Sequence, residues 1–106
     1  MSNQCPFPKR LKEARKAIGL SQEKLGIEAG IDELSASARM NQYEKGKHVP
    51  DYDMASRIAN VLKLPVAYFY AADDDLAKLI LGYYGLMPED KLRMLSSITT
   101  PNSGAK

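Results

Sequence analysis

Apolar residues recur at spacings of three and four along most of the chain, which is the period of amphipathic helices. Glycine or proline separates the apolar segments, as helix ends require. The pattern predicts an all-α fold, in which five helices are followed by two additional C-terminal helices. Helices are predicted from Pro8 to residue 17 or 18, over 22–29 and 36–45, from the N-cap Asp51 to near Leu62, over 66–70, from the carboxylates at 73–75 to near Gly85, and from Pro88 through Ile98.

Two adjacent helices near the middle of the chain have well-marked ends. Ser21 is suited to cap the first, because its hydroxyl accepts a hydrogen bond from a free amide of the opening turn. Gly30 is suited to end it, since glycine takes the left-handed conformation most readily. The second helix is expected over residues 36–45, with Ser35 preferred as its N-cap and Gly46 beyond its end.

The second helix of this pair has two chemically different faces. At about 100° per residue, Ala36, Met40 and Tyr43 share one narrow stripe, which predicts its buried side. The remaining side carries small, amide-bearing or cationic residues: Ser37, Ala38, Arg39, Asn41, Gln42 and Lys45. Asn and Gln can bind adenine bidentately in the major groove, and a small alanine can contact a thymine methyl. A solvated helix face is equally polar, but the position after a capped helix and a turn favours DNA reading.

The pair resembles the helix-turn-helix of phage repressors and Cro proteins, often called the XRE family, over roughly Lys9 to Tyr70. The matching sequence motifs are Ser21-Gln22, Gly30 and Glu44-Lys45-Gly46, followed by Pro50, Ile58-Ala59 and Leu62. The resemblance implies a transcriptional regulator, of prokaryotic or phage type, that binds double-stranded DNA at specific sequences. Repression is the regulatory outcome that it favours. Its recognition helix would be residues 36–45.

The resemblance also implies roles for individual residues. Gln22 and the amides at the start of its helix would contact a phosphate, consistent with anion binding at helix termini. Arg15 would pair with Glu44 and brace the recognition helix, with Gly30 and Gly46 as structural positions.

Two features depart from the family pattern. The turn after Gly30 is longer than the usual short connection, and placing the extra residues at 31–35 keeps Arg39 out of the core. Gly26 stands where alanine is usual, and we expect either residue to be small enough for the two helices to approach closely.

Positive charge is concentrated in the first half of the chain. The formal net charge is only +2, but residues 1–50 hold nine Lys/Arg against six Asp/Glu, and residues 51–106 hold six against seven. His48 is the only histidine, so a catalytic or metal role is disfavoured, and its position suits a phosphate contact. The cations expected to line a phosphate backbone are Lys9, Arg10, Lys12, Lys45 and Lys47.

Composition narrows the cellular context. Cys5 is the only cysteine, which precludes an intramolecular disulfide and fits a reduced, cytoplasmic chain. No apolar stretch approaches the ~20 residues that span a bilayer, and the N-terminus lacks the apolar core of a signal peptide. Asp73-Asp74-Asp75 is interpreted as a helix cap rather than a metal site. We therefore expect no association with a membrane, no bound metal and no cofactor.

The chain is expected to divide into three segments: residues 1–71 as the DNA-binding domain, 72–99 as a C-terminal helical extension, and 100–106 as a flexible tail. Apolar stripes on the two helices of the extension favour a homodimer. A two-fold dimer would bind an inverted-repeat operator, since paired half-sites mirror the symmetry of the protein.

Three function classes can be compared. An enzyme is disfavoured, because no nucleophile triad, glycine-rich phosphate loop or cluster of metal ligands is present. A transcriptional regulator is favoured. An antitoxin or other protein-interaction module built on the same fold stays open as the alternative, since an antitoxin binds a protein partner and can also bind DNA.

Overall fold

The computed structural model describes residues 5–99, and all regular structure in that range is helical. A 3-10 helix at Val66–Tyr70 separates the fourth and fifth α-helices. The α-helices are α1 (Phe7–Ala17), α2 (Gln22–Glu28), α3 (Ala36–Glu44), α4 (Tyr52–Leu62), α5 (Asp74–Tyr84) and α6 (Pro88–Ile98). The predicted all-α class is therefore confirmed, while the predicted tail at 100–106 lies outside the described residues.

Helix ends follow the predicted capping residues at most positions. Ser21, Asp51 and Asp73 each accept a hydrogen bond, at 2.9–3.0 Å, from the backbone N–H three residues further along. Gly30 and Gly46 adopt positive φ angles of 98° and 75° just beyond α2 and α3. These conformations are accessible to glycine without steric cost, so both residues end their helices as expected.

The turn between α2 and α3 is organised by Asp32 rather than by Ser35. The Asp32 carboxylate accepts from the backbone N–H of Leu34 at 3.0 Å, and its carbonyl accepts from that of Ser35 at 3.0 Å. Ser35 occupies the N-cap position of α3, but its side chain caps no amide. Its hydroxyl donates back to the Asp32 carbonyl at 3.5 Å, so Ser35 is the N-cap residue, as predicted, without capping through its side chain.

The hydrophobic core lies where α1–α4 and the 3-10 helix meet. Its most completely buried large side chains are Phe7, Leu11, Leu25, Met40, Ile58 and Phe69. The Phe7 ring lies 5.3 Å from that of Phe69 and 5.4 Å from that of Tyr70, between centroids. Partial burial raises the pKa of the Tyr70 phenol, and the neighbouring Cys5 adds to the rise. The aromatic contacts bring the start of α1 against the 3-10 helix.

Arg10 joins α1 to the chain segment that leads into α5. Its side chain donates from Nε and Nη2 to the Ala71 carbonyl at 3.0 and 2.7 Å, and from Nη2 to Asp74 at 3.2 Å. The guanidinium also lies over the Tyr68 ring, 5.6 Å from its centroid. Because Arg10 is only 5% exposed, the expectation that it faces a phosphate backbone was wrong.

The last two helices differ in how far they are buried. Ala77 of α5 is buried, and Ile80 and Leu81 pack against the core cluster. None of the residues of α6 is buried, although apolar side chains follow one of its sides. An isolated 11-residue helix is only marginally stable in water, so the stability of α6 depends on the packing of its apolar side against other helices.

Gly26 lies at the contact between α2 and α3. A Cβ atom built at this position would lie 2.9 Å from both the Cβ atom and the carbonyl oxygen of Ala36. That separation is closer than real Cβ contacts, and a backbone carbonyl cannot rotate away as a flexible side chain can. The expectation that alanine would fit equally well was therefore wrong.

We expect Gly26→Ala to lower the free energy of unfolding by about 1–3 kcal/mol, because the added methyl group forces α2 and α3 apart. Gly82→Ala is the matched control, since Gly82 lies inside α5 and a Cβ atom added there would meet nothing within 4 Å. It should stabilise the protein by about 0.5–1 kcal/mol through helix propensity. Urea denaturation would measure both changes, and equal stability of Gly26→Ala and wild type would contradict this account of the contact.

Candidate nucleic-acid interface

The side of α3 opposite the core is polar and accessible. Ala36, Met40 and Tyr43 are all at most 5% exposed, so the predicted stripe is buried. The other side of the helix presents four exposed residues, Ser37, Ala38, Arg39 and Lys45, and two half-buried amides, Asn41 and Gln42. The longer turn thus leaves Arg39 outside the core, as the placement of the extra residues at 31–35 predicted.

An ion pair holds the end of α3 against α1. Arg15 donates from Nε and Nη2 to the two carboxylate oxygens of Glu44, with Nη2 at 3.1 Å from Oε1. Its Nη1 donates to the Leu20 carbonyl at 2.9 Å, which ties in the segment before α2. The two charged side chains are only 12% and 3% exposed. This is the pairing that the resemblance implied, and it joins three segments of the domain.

Gln22 connects α2 to α3 through its side-chain amide. The Nε2 group donates to Glu44 Oε1 at 3.0 Å and to Asn41 Oδ1 at 3.2 Å. An amide nitrogen carries two hydrogens, so both are engaged within the protein. The side chain expected to contact a phosphate therefore directs its donors towards α3.

Basic residues from α1 and from the segment beyond α3 line one cavity. The loop after the helix folds back, with the backbone N–H groups of Lys47 and His48 donating to the Gln42 carbonyl at 2.9 and 3.4 Å. Together with Lys9 and Lys45, His48 lines a cavity of about 310 Å³ between this loop and the start of α1. Lys45 and His48 at the end of α3 therefore lie close to Lys9 of α1.

A second cleft, of about 380 Å³, lies between α1 and α3. Its lining includes Lys12, Lys16 and Lys45, with the polar network of Arg15, Gln22, Asn41 and Glu44 between them. Lys16 was not among the residues expected at the interface. Its spacing of four from Lys12 on a predicted helix is the signal that could have found it.

Neither a metal site nor a membrane-spanning helix is present among the described residues. Between residues 5 and 99, no group of three or more His, Cys, Asp or Glu side chains is arranged to hold a metal ion. No helix in that range has the length and apolar character needed to cross a membrane. The candidate interface itself carries amides, cations, one hydroxyl and one small apolar residue.

A capped helix, an ordered turn and a second helix with a buried stripe and a polar outer face define a helix-turn-helix protein. Residues 9–85 match the model of the helix-turn-helix domain family, and the chain belongs to that family. The fold is similar to the crystal structure of the transcriptional regulator BswR, with a TM-score of 0.80 and 47% sequence identity. That similarity covers 87% of this chain and 91% of the other. A comparison with curated proteins gave no match.

We expect Arg15→Ala or Glu44→Ala to cost about 3–5 kcal/mol of stability, since either change leaves a largely buried charge without its partner. Urea denaturation of both single variants and the double variant would measure the coupling between the two residues. Arg93→Ala is the control for an exposed pair, because the Arg93 side chain is 76% exposed beside Asp90. That change should cost less than about 1 kcal/mol. Strictly additive effects of Arg15→Ala and Glu44→Ala would show that the pair contributes no coupling.

Proposed function

We propose that this protein is a sequence-specific transcriptional regulator that binds double-stranded DNA by placing α3 in the major groove. The observation that carries the proposal is the polar, accessible side of α3, which lies opposite a buried stripe and bears the exposed cations Arg39 and Lys45. A major groove about 12 Å wide admits one α-helix with its side chains. The membership of the helix-turn-helix family and the similarity to a transcriptional regulator support the same function.

Within this proposal, residues of α3 and the following loop have different roles. Ser37, Ala38, Arg39 and Gln42 contact base edges, whereas Lys45, Lys47 and His48 contact phosphates. Base contacts supply specificity, and phosphate contacts supply affinity and orientation. Binding of this kind occludes a promoter, so we propose repression as the regulatory outcome, in the cytoplasm where prokaryotic DNA is found.

Selection of bound duplexes from a random pool should return one motif. Gln42→Ala is then expected to cost about 1–3 kcal/mol on that motif and to relax the preference at one base position. Lys47→Ala should weaken binding to all sequences and reduce the salt slope by about 1, because a phosphate contact is lost. Affinities on the motif and on a scrambled duplex, over a range of salt concentrations, would measure both effects. Recovery of no motif by the wild type would exclude sequence-specific recognition.

We also propose that α5 and α6 form the interface of a homodimer that binds an inverted repeat. An apolar groove of about 390 Å³ lies between these helices and the 3-10 helix, and its walls expose no polar atoms to it. Tyr83 and Leu95 are among the residues that line it, and Leu92 of α6 is also 68% exposed. The segment 100–106 is polar, so a second copy of the apolar helices suits this surface better than the chain's own C-terminus.

We expect Leu95→Glu to convert the dimer to a monomer, because a carboxylate in an apolar interface loses its hydration without gaining a partner. Ser96→Glu is the control, since Ser96 follows Leu95 on the same helix but does not line the groove. Sedimentation equilibrium would report the mass of wild type and both variants. A monomeric wild type at every concentration, or a dimeric Leu95→Glu variant, would refute this interface.

A further inference from the structure

We propose that the cleft between α1 and α3 binds one phosphate of the DNA backbone, with Lys12, Lys16 and Asn41 as its donors. Gln22 then acts as a positioning residue that orients Asn41 and does not contact the phosphate itself. The inference rests on the proposed function, and it differs from the sequence-based expectations, in which Asn41 reads a base and Gln22 contacts the phosphate.

The orientation of the Asn41 amide follows from the charge of Glu44. The Glu44 carboxylate accepts hydrogen bonds only, and Arg15 occupies both of its oxygens. Gln22 must therefore turn Nε2 towards it, and the second Nε2 hydrogen points to Asn41. To accept that hydrogen, Asn41 must present Oδ1 inward. Its Nδ2 group, with two donors, is left for an external acceptor.

The hydrogen-bond donors and acceptors of Gln22 also argue against its side chain as a phosphate ligand. Both of its donors are engaged, and the remaining polar atom, Oε1, is an acceptor that gives no attraction to an anionic oxygen. A contact with phosphate would require breaking the bond to Asn41, which holds the Asn41 amide in place, or the bond to Glu44, which would leave a 3% exposed carboxylate with one partner fewer. Gln22 is thus better suited to hold Asn41 than to hold DNA.

The charges around the cleft favour an anion. Four cations and one carboxylate line it, a net charge of +3, and the carboxylate is already paired with Arg15. Lys12 and Lys16 lie one turn apart on the exposed side of α1, while Lys45 follows α3. A volume of about 380 Å³ accommodates a tetrahedral phosphate with its bridging oxygens. Donors from two helices therefore converge on a space that suits one backbone phosphate.

The position of Asn41 on α3 also favours the backbone over a base. At about 100° per residue, Asn41 and Gln42 point about 100° apart, on either side of Ala38. Asn41 is on the side of α1 and α2, where it lines the cleft, and Gln42 does not line it. We therefore assign Asn41 to the edge of the groove and Gln42 to its floor.

A methylphosphonate scan tests the assignment directly, because it removes the charge of one phosphate at a time. The scan uses the selected duplex, the full chain and the variants Lys16→Gln, Asn41→Ala and Gln22→Ala. In wild type, neutralising the phosphate at the cleft should weaken binding about tenfold, a 1.4 kcal/mol effect. In Lys16→Gln and Asn41→Ala, the same neutralisation should cost less than about threefold, since the interaction is already impaired. Lys16→Gln should also reduce the salt slope by about 0.9.

The two roles are separated by the base preferences of the variants. Asn41→Ala should weaken all sequences alike and leave the selected motif unchanged, whereas a base-reading Asn41 would lose its preference at one position. Gln22→Ala should reduce the sensitivity at the cleft phosphate without changing the salt slope, because no cation is removed. Lys78→Gln, an exposed residue of α5 outside the cleft, should behave as wild type.

Each outcome has a distinct meaning. If wild type selects no motif and shows no salt-dependent binding, the proposed function fails and the phosphate site fails with it. If wild type selects a motif but methylphosphonate costs are additive with Lys16→Gln and Asn41→Ala at every position, only the phosphate site is overturned. A Gln22→Ala variant that retains full sensitivity at the cleft would overturn the positioning role alone. Thermal melts of each variant would confirm that it is folded.

Discussion

The ion pair of Arg15 with Glu44 determines how α3 is presented. It joins α1, the segment before α2 and the end of α3 through four hydrogen bonds from one guanidinium and one amide. A buried charge pair is stabilising only when its geometry satisfies most of its donors and acceptors. Here the carboxylate is met by Arg15 and Gln22, so the pair can be both largely buried and directional. Because Glu44 orients the Gln22 amide, and Gln22 donates to Asn41, the ion pair also sets the orientation of the Asn41 side chain at the surface.

Close packing of α2 on α3 complements this polar attachment. Gly26 allows the first residue of α3, Ala36, to approach to a distance that any side chain at Gly26 would prevent. The longer turn is held by Asp32, while Ser35 occupies the N-cap position without capping through its side chain. The turn and the helix contact together define the start of α3, while the ion pair defines its end. The exposed face is therefore constrained at both ends of the helix.

A second buried arginine links this unit to the C-terminal helices. Arg10 donates to the carbonyl of Ala71 and to Asp74, so α1 contacts both the recognition unit and the beginning of α5. A displacement of α5 would leave the Arg10 guanidinium buried with fewer partners, which is costly. The arrangement of α5 relative to α1 is consequently well defined. The start of α5 is thus tied to the same helix that Arg15 joins to α3.

Much of the fold could be predicted from the sequence because its determinants are local. Apolar spacing defined the helices, caps such as Ser21 and Asp51 defined their starts, and Met40 and Tyr43 identified the buried side of α3. The pairing of Arg15 with Glu44 came from a family resemblance carried by a few residues. These features depend on residues within one or two helical turns of each other, or on sequence motifs that members of a family share.

The contacts between residues distant in the chain became evident only from the packing of the helices. Arg10 and Lys12 are similar basic residues of one helix in the sequence, yet one is buried against Ala71 and the other is exposed beside a cleft. The engagement of Gln22 with Asn41 and the exclusion of alanine at Gly26 likewise depend on how helices cross. Local sequence patterns were sufficient to predict the helices and the outer face of α3. The packing of the helices set which polar groups on that face remain free to donate, because hydrogen-bonding capacity is limited and buried partners use it first.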